Sequence, residues 1–233
     1  MKHNRKTKRS GLSNVIISIM IFTPIILGIW LFDRMEELQK TYLYDFEDDK
    51  VGSYPDAFVG NLRDTDYTRV VYFDDTYKNV VEVNYWQEPP YNPLEYGGME
   101  FNTLYGLTLS GIIEFDIYLL SYKKVNIDIC QSDPIYDSDD DITINFQADR
   151  SIVIKDENKN YKQISLFSIR KWYHFKIEYN VDEWKIWVNG KLEQTNIKYY
   201  LEPPYFCQLY FATYDLGQVF YVDNIKIIML ETI

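Results

Sequence analysis

Glu114 and Asp116 stand two residues apart in the run Ile112-Ile113-Glu114-Phe115-Asp116-Ile117-Tyr118-Leu119. In a strand that spacing puts both carboxylates on one face, where a retaining glycosidase holds its nucleophile and a neighbour that orients it. The competing reading is a polar, solvent-facing strand edge. Asp137, Asp139 and Asp141, within Asp137-Ser138-Asp139-Asp140-Asp141, gather hard oxygen ligands of the kind Ca²⁺ accepts, although the glycine and terminal glutamate of an EF-hand are absent. The alternative is a solvated acidic turn. Calcium is the one cofactor the residues suggest.

The aromatic content is the most distinctive feature of composition: 22 Tyr, 13 Phe and 5 Trp. Two segments, Tyr85 to Tyr96 and Tyr199 to Tyr205, share the tetrapeptide Glu-Pro-Pro-Tyr. Their prolines stiffen the chain and deny it ladder hydrogen bonds, which predicts rigid loops at the end of a fold. Trp86, Tyr91, Tyr96 and Tyr205 would there offer flat rings to sugar C–H faces, with neighbouring Gln, Asn and Glu for the hydroxyls. They would equally serve to seal the ends of a core.

Other chemistries lack their parts. Past residue 32 there is one histidine, His174, which alternates with Lys176 and Glu178 on the polar side of a strand and reads as a surface group. No Gly-rich phosphate loop, His-Glu-x-x-His or Cys-x-x-Cys occurs. Cys130 and Cys207 are the only cysteines and could bridge in an oxidising compartment. Their phases disagree: Cys207 alternates with Leu209 and Phe211, Cys130 with Asn126 and Asp128. No Asn-x-Ser/Thr acceptor is present.

The elements that must position these residues are strands. From Tyr42 onward the pattern has period two, and no window sustains a helical apolar stripe. Short runs such as 70–73, 80–83, 112–119, 125–129, 142–146, 152–154, 164–167, 173–179, 184–188, 209–211 and 220–228 predict an all-β fold of two packed antiparallel sheets, because one open sheet of that size would curl or split. Asn189-Gly190 supplies the two positive-φ residues of a type I′ hairpin turn. Tyr173, Phe175, Ile177 and Tyr179 share the core face of their strand. In the last strand Phe220 and Val222 have one parity and Ile225 and Ile227 the other, so a β-bulge is expected near Asp223-Asn224.

Tyr44-Asp45-Phe46-Glu47-Asp48-Asp49 with Val51-Gly52-Ser53 and Pro55, the strand from Ile112 to Leu119, Trp172 to Ile177 with Trp184 to Gly190, and the closing Tyr221-Val222-Asp223-Asn224-Ile225 together resemble the concanavalin A-like, laminin-G-like jelly rolls. The resemblance spans nearly all of 42–233. It implies two curved sheets with first and last strands paired, and ligands on the concave face or the rim loops. In the laminarinase-like glycanases of that superfamily the Glu-x-Asp pattern continues to a third acidic residue, the proton donor, and here Tyr118 takes its place. Without that acid the two-carboxylate mechanism has no proton source.

The chain of 233 residues is otherwise of ordinary globular composition, with a formal charge of −11. Lys2, Arg5, Lys6, Lys8 and Arg9 precede every acidic residue, so beyond residue 32 there remain 19 Lys and Arg against 35 Asp and Glu. A domain so acidic would meet a nucleic-acid backbone as anion against anion. Residues 10–32 carry no charge and, as a helix, would reach about 34 Å, enough to cross a bilayer. The expected organisation is a basic cytoplasmic segment at 1–9, a transmembrane signal-anchor helix at 10–32, a short stalk at 33–41 and a sandwich domain at 42–233, outside the cell by the positive-inside rule. A cleaved secretory signal is the rival, disfavoured by the length of the apolar run and the absence of a small-x-small site around Ile29 to Phe32.

Three functional expectations follow. The first is a membrane-anchored module that recognises glycan or another surface polymer without catalysis. The second is a divergent glycan hydrolase or lyase using Glu114 and Asp116. The third is a structural or adhesive surface protein whose ligand is another protein.

Overall fold

Alternation of apolar and polar residues translates directly into strands with one buried face. The computed structural model describes residues 39–55, 68–85, 97–102, 110–130, 142–155, 160–180, 183–197 and 208–230. They form β1 (Gln39–Tyr44), β2 (Thr68–Tyr72), β3 (Asn79–Tyr85), β4 (Gly97–Asn102), β5 (Ser110–Leu119), β6 (Val125–Cys130), β7 (Ile142–Phe146), β8 (Ser151–Lys155), β9 (Tyr161–Leu166), β10 (Trp172–Tyr179), β11 (Trp184–Val188), β12 (Lys191–Ile197), β13 (Gln208–Thr213) and β14 (Gln218–Leu230). Among the described residues there is no helix, and so none long and apolar enough to cross a membrane. The predicted anchor at 10–32 lies outside them, as does most of the predicted stalk; β1 begins inside that stalk, at Gln39. Backbone contacts group Lys40–Ile233 as one unit.

The strands build two antiparallel sheets. One has eight strands in the order β12-β11-β10-β5-β14-β3-β2, with β1 also paired to β14. The other has six, in the order β4-β13-β6-β7-β8-β9. First and last strands are thus neighbours, as the family resemblance implied. The sheets meet at both edges: Thr68 Oγ1 donates to the Gly98 carbonyl at 2.9 Å, linking β2 to β4, and Lys162 Nζ donates to Gln194 Oε1 at 2.8 Å, linking β9 to β12.

Between the sheets the inward parity is continuous. Phe115 stacks on Phe175 across β5 and β10 with centroids 5.1 Å apart, and meets Phe211 of the opposite sheet edge-on, also at 5.1 Å. Tyr173, Phe175, Ile177 and Tyr179 are all buried, as their spacing required. Asn189 and Gly190 have φ of 50° and 77°, the pair of positive values that joins β11 to β12. On β14 the pairing with β5 jumps between Asp223 and Lys226, and Asn224 adopts a φ of 51°. The extra residue is the predicted bulge, and it keeps Phe220, Val222, Ile225 and Ile227 on the buried side.

Candidate functional site

On the outer face of the eight-stranded sheet, pairing places Glu114, Asp116 and Tyr118 of β5 between β10 and β14. Glu114 sits between Lys176 and Lys226 and pairs with Lys226 Nζ at 3.5 Å. Asp116 Oδ1 meets His174 Nδ1 at 2.8 Å, and its Oδ2 accepts from Asn224 Nδ2 at 2.9 Å. Both carboxylates are therefore already held. Directly opposite Asp116 lies Asp223, only 2% exposed, whose Oδ1 makes no hydrogen bond. Burial above all, opposed by the Asn224 N–H and reinforced by the negative charges of Asp116, Glu47 and Asp45, pushes the Asp223 carboxyl up to about 8.

Tyr118 belongs to an aromatic cluster. Phe73 lies 5.0 Å from Tyr118, 5.2 Å from Trp172 and 5.1 Å from Tyr221, all nearly edge-on, and Tyr77 stacks on Trp172 at 4.1 Å. Burial, with Asp116 and Asp223 nearby, raises the Tyr77 phenol, and burial beside Glu82 pushes Tyr221 up to about 12. These rings form a small outer core roofed by the turn at Asp74 to Lys78. Sequence reasoning looked for a third acid along β5 and missed Asp223, which reaches Asp116 from across the sheet.

The outer face of the six-stranded sheet is chemically different. Register lines up Gly98, Ala212, Asn126, Asn145 and Val153 in one row across β4, β13, β6, β7 and β8. The next row carries Tyr210, Asp128 and Thr143. Gly98 is required here: a Cβ would lie 2.7 Å from the Phe211 carbonyl oxygen. Asn145 is fully buried with neither amide atom hydrogen-bonded, and the Oδ1 of its half-buried neighbour Asn126 is equally unbonded. A buried amide left without partners costs about 1–3 kcal/mol, and such groups persist where they have a further use. Of the two amides only Asn126 is partly open, and its side chain has the donor and acceptor types that match a hydroxyl group. The signal for these residues was present as the polar parity of 125–129 and 142–146, but only pairing of β6 with β7 brings them together.

The remaining predicted site residues are placed as follows. Trp86, Tyr91, Tyr96, Tyr205, Asp137, Asp139, Asp141 and Cys207 lie outside the described residues. The segment bearing the first three enters β4 at Gly97, whereas that bearing Tyr205 enters β13 at Gln208, which pairs with Asn102 at the far end of β4. The two Glu-Pro-Pro-Tyr segments therefore join this sheet at opposite ends. Cys130 pairs with Gln208, one residue beyond Cys207. Among the described residues no three His, Cys, Asp or Glu side chains are grouped to hold a metal ion.

No protein-family model matches the sequence, and no curated protein matches it. Solved structures do. One, described among endo-acting O-glycanases that prominent members of the human gut microbiota express to initiate mucin breakdown, superposes with a TM-score of 0.56 at 12% identity, over 82% of this chain and 99% of its own. An alginate lyase, AlgAT5 of polysaccharide lyase family 7, gives 0.50 at 13% identity over 84% of this chain and 96% of its own. A sialidase gives 0.53 at 13% identity over 69% of this chain, which spans only 16% of that protein. With strand order, the pairing of β1 with β14 and these superpositions in agreement, the fold is that of the concanavalin A-like jelly-roll sandwiches.

Proposed function

We propose that the sandwich is a glycan-binding module, displayed outside the cell on the anchor at 10–32, that holds its ligand without turning it over. The observation that carries the reading is Asn126 on the outer face of the six-stranded sheet, half-buried and with its Oδ1 unclaimed by the protein, beside the buried and equally unclaimed amide of Asn145. Glycan hydroxyls are the matching chemistry. The fold supports the same reading, since two of the similar structures are described as glycan-degrading enzymes. Trp86, Tyr91, Tyr96 and Tyr205 are proposed as additional stacking contacts, and a calcium ion at Asp137, Asp139 and Asp141 as a rim element.

The hydrolase or lyase alternative gains nothing from Glu114 and Asp116. Glu114 pairs with Lys226 and Asp116 with His174 and Asn224, while the acid best protonated near neutrality, Asp223, is 2% exposed and out of reach of a leaving group. A broad glycan array probed with the full chain tests the proposal. The expected result is retention of at least one glycan class, weakened about tenfold or more by Asn126→Ala and by Trp86→Ala, with no new reducing ends or unsaturated products. A blank array, or product release that Glu114→Gln abolishes, would refute it.

A further inference from the structure

We infer that the turn from Asp74 to Lys78 is a proton-latched roof on the outer face of the eight-stranded sheet, shut while Asp223 carries its proton and lifting when that carboxyl ionises. The surroundings of Asp223 have no place for a charge. It is 2% exposed and its Oδ1 makes no hydrogen bond. Across the strand pair it faces Asp116 of β5, whose two oxygens are already taken by His174 Nδ1 of β10 and Asn224 Nδ2 of β14. The segment after β1 adds the negative charges of Asp45 and Glu47. The turn adds the phenol of Tyr77, itself raised by burial and by the charges of Asp116, Asp223 and Asp74. The cations flanking the site are paired already: Lys78 with Glu47 at 3.3 Å, Lys226 with Glu114 at 3.5 Å, Lys176 with Glu178 and Arg69 with Glu82. An ionised Asp223 would stand among like charges, and water is what can solvate it.

The turn is the part that can move to admit that water. Asp74, Asp75, Thr76 and Lys78 are exposed. It is held down by Phe73 against Tyr118, Trp172 and Tyr221, by Tyr77 stacked on Trp172, and by the ion pair that clips Lys78 to Glu47. The segment on the other side of that clip is fixed, because Phe46 is buried in the core and the Glu47 and Asp49 carbonyls accept from Asn79 Nδ2, each at 3.2 Å. Lifting the turn uncovers Tyr118, Trp172 and Tyr221, so this face is sealed in acid and wetted at mildly alkaline pH. Asp223 holds its proton to about 8 in the fold, against 3.8 when exposed, so between those values opening expels a proton. The open fraction therefore grows by up to about tenfold per pH unit over that interval and levels off above it.

The test is amide hydrogen exchange read by mass spectrometry on the full chain in neutral detergent, from about pH 5 to about pH 9, with intrinsic exchange rates divided out. Protection of the peptide spanning 73–78 is expected to fall by up to about tenfold per pH unit until about pH 8 and then to flatten, while β5 and β10 keep theirs. Asp223→Asn is expected to make protection of the turn independent of pH. Should that variant fail to fold, as judged by its thermal melt, Asp223→Ser removes the same charge and gives the same readout. Lys78→Gln, which cuts the clip and leaves the carboxyl, is expected to lower protection at every pH with the slope unchanged. Turn protection that ignores pH in the unmodified chain, or an unchanged slope in the Asp223 variants, overturns the inference. Loss of protection in β5 and β10 in step with the turn overturns it as well, since the event would then be unfolding of the whole domain.

Discussion

Asp223 is the residue whose environment departs most from its chemistry. It faces Asp116 across the strand pair, with Glu47 and Asp45 adding negative charge and Tyr77 nearby, while His174 and Asn224 are bound to Asp116. Its carboxyl titrates near 8 in the fold against 3.8 when exposed, so the folded state holds the proton more tightly than the unfolded chain. The folded domain therefore loses stability as pH rises from about 4 to about 8, and the full penalty applies above that range. Asp223→Asn removes the charge and keeps the shape. It is expected to raise stability at pH 9 by on the order of 2 kcal/mol, and to make no difference near pH 4. Urea melts of the two proteins across that range measure it, and a difference that ignored pH would discard the account. This pairing was not legible from spacing, because Asp116 and Asp223 are brought together only by a register between strands far apart in sequence.

At the scale of the element, the bulge on β14 was legible for a physical reason: a strand cannot keep Phe220, Val222, Ile225 and Ile227 on one face without an extra residue. What the alternation did not contain was the bulge's second task. Asn224, in the left-handed region at φ 51°, donates to Asp116 and so fixes the carboxylate that faces Asp223. Asn224→Gly keeps the backbone and loses that hydrogen bond, which costs about 1 kcal/mol. Asn224→Val adds the strain of a β-branched residue at positive φ, and about 2–3 kcal/mol is expected in total. Equal losses in the two variants, read from denaturation midpoints, would show that backbone conformation is not what selects asparagine there. Two strands had no legible pattern. β1 ends in Tyr42, Leu43 and Tyr44, three apolar residues in a row whose alternation shows only in the fold, where Tyr42 and Tyr44 pack on the core, Leu43 is 62% exposed and the strand pairs with β14. β4 opens with Gly97-Gly98, residues of poor strand propensity, of which Gly98 is demanded here by the close approach of the Phe211 backbone. The amide pair of Asn126 and Asn145 was hidden for the same reason as Asp223, since each polar residue alone is an ordinary outward position.

Across the whole molecule, the strongest asymmetry is between five cations at one end and a strongly acidic remainder, separated by 23 uncharged residues. Such a chain, once inserted, has a preferred direction, because Lys and Arg near the end of a membrane helix are retained on the cytoplasmic side. Acidic residues contribute little to that choice, so the orientation rests on Lys2, Arg5, Lys6, Lys8 and Arg9. On the proposed topology, protease added to intact cells degrades the sandwich and leaves a short membrane-bound fragment, while carbonate extraction leaves the undigested chain in the pellet. Replacing the five cations by Gln removes the bias, and a mixture of protected and accessible domains is expected in place of a single orientation. Recovery of a soluble product beginning near Asp33 would instead identify residues 10–32 as a cleaved signal. A domain protected from protease in intact cells would reverse the topology, and would place the amide face of the six-stranded sheet away from any external glycan.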